Sequence, residues 1–145
     1  MKGIKVLLLS LFLVGCATVA PISQEDLLAE GFGQFEQGFY AFYVPSRGAV
    51  PDSMTISSYR VQGTSRTASD LHGAFQLGHS NDFGIVVGGS NSELTTLVVE
   101  HALDLEEEGD RLAGLEVLVV GPRELTPDII EKATSRGISI ILSAE

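Results

Sequence analysis

The chain of 145 residues is poor in three things, and each shortage excludes a class of function. It has one cysteine, so an intramolecular disulfide is impossible and a cysteine-based metal site, with a single thiolate to draw on, is not expected. It has nine Lys+Arg against nineteen Asp+Glu, a formal charge of −10. Nucleic-acid binding needs a basic face for phosphate, and electrostatic adhesion to anionic lipid needs the same, so both are excluded as expectations. Its long hydrophobic stretch, Val6–Val14, is apolar but for Ser10 and has nine residues, whereas a membrane-spanning helix needs about 20. Internal repeats and low-complexity segments are also missing. With 44% hydrophobic and 19% charged residues, the composition is that of one globular domain.

The short apolar run has a different meaning. Lys2 and Lys5 precede it, and Leu13-Val14-Gly15-Cys16 follows, with the sole cysteine in last place. This segment resembles the signal peptide and lipobox of bacterial lipoproteins; the resemblance covers residues 1–16 only. It implies removal of residues 1–15 and diacylglyceryl and acyl modification of Cys16. Several acyl chains on one residue anchor a protein stably, where a single chain does not. Ala17 in the sorting position, rather than Asp, implies the outer membrane of a Gram-negative envelope, with the body facing the periplasm. Loss of residues 1–15 removes two lysines and leaves seven basic residues against nineteen acids, a mature charge of −12. Residues 16–22 would then be an acylated tether, reaching about 20 Å when extended.

Behind the tether, Ser23 followed by Glu25 and Asp26 is a helix start. Leu28, Phe32, Phe35 and Phe39 recur on one helical face. Phe39–Val44 fits either an extension of that helix or a buried strand, and Pro45 ends it. Residues 46–53 are expected as loop, and Met54–Val61 as a strand by its β-branched content and partial alternation. Thr67 and Asp70 suggest a capped short helix through Leu71 and Phe75, ending at Gly78.

The second half alternates cleanly. Phe83–Gly88, Leu115–Val120 and Ile138–Leu142 are short apolar runs of the kind buried on both faces. Between them lie two helices. The first has a Ser90/Glu93 capping box and an apolar face of Leu94, Leu97, Val98, His101 and Leu105, with Gly109 or Gly114 as its end. The second has Thr126 as cap, Pro127 in the first turn, and Gly137 behind. Glu106-Glu107-Glu108 is expected as solvated surface. The prediction is an α/β fold: a three-layer, open, mainly parallel sheet, Rossmann-like or flavodoxin-like in its βαβαβ, with an N-terminal helical and aromatic appendage. The expected divisions are 23–53 for helix and loop and 54–145 for the α/β domain.

Ligands of parallel sheets sit at the carboxyl ends of the strands. There the sequence offers Gly88, Gly89, Ser90, Asn91 and Ser92, with Arg123 behind the next strand. Two readings stay open: a crevice for an anionic group, binding or catalytic, or a tight turn followed by helix caps. The loop is neither G-x-G-x-x-G nor a P-loop, and it lacks the last glycine of a nucleophile elbow. His101 falls on an apolar helix face, and His72, His79 and Asp82 match no metal motif. No catalytic set, metal or cofactor is expected. Phe32, Phe35, Phe39, Tyr40, Phe42 and Tyr43 crowd into twelve residues, either as core or as a contact surface for another envelope protein. The sequence thus favours a non-enzymatic accessory, assembly or interaction factor of an envelope complex.

Overall fold

A computed structural model describes residues 21–143; the expected signal peptide and Cys16 lie outside them. Four strands form one all-parallel sheet: β1 (Phe39–Tyr43), β2 (Gly84–Gly88), β3 (Glu116–Val120) and β4 (Ser139–Leu142). The expected three-layer parallel α/β architecture is what is found. The spatial order is β1-β2-β3-β4, the same as the chain order. Among the described residues the strand order does not reverse, so these four strands form no switch-point crevice of the doubly wound kind.

One face carries all the crossover helices. These are α2 (Ala49–Gln62) and α3 (Arg66–Ser80) between β1 and β2, α4 (Ser92–Asp104) between β2 and β3, and α5 (Pro127–Ser135) between β3 and β4. Ile56, Leu71, Phe75, Leu94, Val98, Ile129 and Ala133 pack there on Ile85, Val87, Val117 and Val119. The alternate strand residues face the other way. Val86, Leu118 and Val120 meet Leu27 and Phe35 of the N-terminal helix α1 (Gln24–Gln34) and its end, joined by Ile22, Phe39, Tyr43 and Ile141. The period-two alternation of each strand thus feeds two separate cores. Each large apolar side chain fully buried in them contributes about 2 kcal/mol.

The N-terminal stretch is not an appendage. β1 is the edge strand of the sheet and α1 is its entire second covering layer among the described residues. α1 starts where expected, with a reciprocal capping box between Ser23 and Asp26. Its buried face is Leu27 and Gly31, however, while Leu28 and Phe32 are exposed. The expected face was one position out of phase, because Phe39 belongs to β1 and not to the helix. Ser143 Oγ donates to Glu30 at 2.7 Å, tying the end of β4 to this layer.

The expected strand over 54–61 is helical, and so is the end of the expected loop at 49–53. Asp52, Ile56 and Tyr59 recur at i, i+4 and i+7 and form the inner face of α2. Pro51 is tolerated in the first turn, where no intrahelical N–H bond is made. Packing overrides the β-branched composition. The caps of the next two helices also shift. Ser65, not Thr67, caps α3, which runs past Gly78 to Ser80. Asn91, not Ser90, caps α4, accepting the Leu94 N–H at 3.0 Å. α4 ends at Asp104, before either expected glycine. Thr126, Pro127 and Gly137, which takes a φ of +74°, perform as expected around α5.

Candidate functional site

The carboxyl ends of β1, β2 and β3 gather three segments: the loop 44–48, the loop 88–91 and the turn 121–123. The loop after β1 is organised by Asp52 in the first turns of α2. This carboxylate is 2% exposed. It accepts from Ser46 Oγ at 2.5 Å, the Arg47 backbone N–H at 2.8 Å and Asn91 Nδ2 at 3.0 Å. Burial alone would raise its pKa; the hydrogen bonds from Ser46, Arg47 and Asn91, with the Arg47 charge, outweigh this and hold it below the usual carboxylate range. A cavity of about 360 Å³ opens beside it, lined in part by Val44, Arg47, Thr55, Tyr59, Thr67 and Leu94. Tyr59 Oη and Thr67 Oγ1 lie 3.4 Å apart in it.

The glycine-rich loop is packed, not open. A Cβ on Gly89 would fall on the Val44 carbonyl oxygen, and one on Gly88 would lie 2.6 Å from the Val120 carbonyl oxygen. Ser90 Oγ donates to the Ile22 carbonyl at 3.1 Å. Asn91 is shared between the α4 cap and Asp52. The two glycines therefore allow backbone segments of this chain to approach one another. Ser92 and Arg123 line a different, shallow groove of about 350 Å³ with Arg60, Glu93 and Pro122. There Arg60 pairs with Glu93 at 2.6 Å, both more than half exposed. So the structure joins Asn91 to Asp52, and Ser92 to Arg123, but does not bring all six candidates into one crevice.

The six aromatics separate by face. Phe35 is buried, and Phe39 and Tyr43 are half-buried beside it. Phe39 meets Phe35 in a stacked pair at 6.0 Å and Phe32 edge-on at 5.1 Å. Phe32 itself is 76% exposed. On the opposite face Phe42 joins the larger core, while Tyr40 packs on Phe83 at 5.4 Å and both remain over a third exposed. The aromatic surface therefore wraps around both sides of the edge strand β1.

Three buried polar groups stand out: Glu106, against expectation; His101, buried on its apolar helix face as expected but with an unpartnered ring nitrogen; and Asp52, which was not foreseen. Glu106, expected in a solvated run, is 6% exposed and lies 2.6 Å from His72 Nε2, while Arg136 Nε donates to its carbonyl. Glu107 and Glu108 are exposed as expected. His101 is buried on α4, and its Nδ1 has no hydrogen-bond partner among the described residues. Asp52 was missed, although its spacing to Ile56 and Tyr59 carries the signal. Comparison with known proteins finds no matching family model, no similar curated protein and no similar solved structure.

Proposed function

We propose that this chain is an envelope lipoprotein whose α/β domain is a non-enzymatic interaction module. In this reading Cys16 carries the lipid, the outer membrane holds it, and the body faces the periplasm. The observation that carries it is the seat of Ile22. This residue packs into the α1-side core, and its carbonyl accepts from Ser90 at the carboxyl edge of the sheet. Ile22 is the sixth residue after Cys16. Even a fully extended chain of that length reaches about 20 Å, so an acylated Cys16 holds the folded body close to its leaflet. The aromatic surface around Phe32, Tyr40 and Phe83 is the part offered to a partner protein.

Two measurements test the reading. Mass spectrometry of the native chain is expected to find cleavage before Cys16 and acyl chains on it; an intact leader or an unmodified thiol overturns the anchor. Affinity capture from detergent-solubilised envelope is expected to recover a partner that a Phe32→Ser variant loses. Recovery of nothing by either overturns the interaction module.

A second reading rests on the cavity beside Asp52, which lies at the carboxyl end of β1 where parallel sheets bind small molecules. Here Arg47 replaces Arg123 as the anion-binding group. A thermal-shift screen with small carboxylates and phosphates, run with Arg47→Ala beside it, separates the two readings.

A further inference from the structure

We propose that β1 is a self-association edge, and that two copies of the chain pair their β1 strands antiparallel about a two-fold axis at Ala41. The inference rests on the interaction-surface part of the reading above and not on the acylation of Cys16.

The backbone sets the register. The Gly38 carbonyl accepts from the Gly84 N–H, and the Val44 N–H donates to the Gly88 carbonyl. Even-numbered residues of β1 therefore turn their backbone groups toward β2, and Phe39, Ala41 and Tyr43 turn theirs to the free edge. Among the described residues nothing pairs with that edge. An antiparallel partner centred on Ala41 places Ala41 opposite Ala41, and Phe39 opposite Tyr43 twice, all as hydrogen-bonded pairs. Three such pairs exchange six N–H···O bonds. Pro45, next in the outward series, has no N–H and stops the ladder there.

The side chains agree with the same axis. Phe-Tyr-Ala-Phe-Tyr is aromatic on both sides of Ala41 at equal spacing. Pairing sets Phe39 against Tyr43 on the α1 face, and Tyr40 against Phe42 on the other. Aromatic cross-strand pairs are among the stabilising ones. Residues 37–45 carry no charge, in a chain of net −10 that repels its own copies elsewhere. Exposed Glu36 and Arg47 flank this strip. The two-fold brings Glu36 of one copy within one residue of Arg47 of the other, at both ends, so the flanks are complementary. Protected edge strands usually carry lysine or an inward charge; β1 carries neither.

The test is the molar mass of the full chain in mild detergent, by sedimentation or light scattering with the micelle subtracted. Twice the chain mass is expected. Ala41→Pro removes an N–H that serves only the free edge, and so two intermolecular bonds. Self-association is expected to weaken about 30-fold with the thermal midpoint little changed. Should that variant not fold, the charges decide: Glu36→Arg and Arg47→Glu are each expected to weaken the dimer, and the double variant to restore it. A dimer unaffected by Ala41→Pro and by the single charge reversals overturns the proposal. A monomer at every reachable concentration also overturns it, and leaves capture of an envelope partner to be judged separately.

Discussion

Asn91 ties the two loops at the carboxyl edge together: its Nδ2 donates to the Asp52 carboxylate at 3.0 Å while its Oδ1 accepts the Leu94 N–H at the same length. One side chain thereby caps α4 and fixes the first turns of α2. Asp52→Ala removes the acceptor shared by the Arg47 N–H, the Ser46 hydroxyl and the Asn91 amide and undoes the contact between the two loops. A loss of about 3 kcal/mol in stability is expected, read from urea unfolding. Asn91→Ala should cost less, about 2 kcal/mol, because Asp52 keeps two of its donors.

Asp52 also makes the fold acid-sensitive. Its pKa is lower folded than its ordinary value of 3.8, so the unfolded chain takes up the proton first as pH falls. Its contribution is complete above about pH 5 and is lost as pH drops through the depressed folded value. Unfolding midpoints measured from neutral to acid should therefore fall less steeply in Asp52→Asn than in the parent.

Lys132 on α5 is the hub of a charge cluster. It contacts Glu100 at 3.2 Å, and Asp104 and Asp128 at 3.0 Å each. Partial burial opposes its charge, but the three carboxylates outweigh this and hold its pKa above the ordinary lysine range. Lys132→Met leaves three neighbouring carboxylates uncompensated across α4 and α5. The expected cost is about 1–2 kcal/mol at low ionic strength, shrinking as salt is added. A salt-independent loss in thermal denaturation would contradict this account.

Two glycines are expected to respond in opposite directions. Gly89→Ala drives a methyl group into the Val44 backbone and should cost about 3 kcal/mol or more. Gly73 in the middle of α3 has nothing within 4 Å of where its Cβ would stand. Gly73→Ala should therefore gain about 1 kcal/mol from helix propensity. Paired thermal melts of the two variants check both signs.

β2 and β3 were legible because burial on both faces leaves a continuous apolar run bounded by glycine; β4 shows the same kind of run, but as an edge strand it is only half-buried, not buried as expected. The caps were legible to within two positions, since Ser65, Thr67, Ser90 and Asn91 are all chemically able to cap and only packing chooses among them. α2 was not legible, because its inner face is a carboxylate, an isoleucine and a tyrosine rather than an apolar stripe. The Asp52 network was hidden for the same reason: its partners Ser46 and Asn91 are 45 residues apart and meet only when β1 and β2 pair. The aromatic cluster stood out by composition, but its division between two faces depends on β1 being a strand.

Strand order that follows chain order has a consequence for how the molecule is built. Each pairing joins successive strands, so the sheet can grow one βα unit at a time without waiting for a distant segment. The exception is α1. It is the first of the described elements to be synthesised, yet its seat includes Val86, Leu118 and Val120, and is finished only when β3 has been added. Until then Leu27 and Phe35 have only Phe39 and Tyr43 of β1 to rest on, and this helix keeps part of its apolar face uncovered until β3 is made.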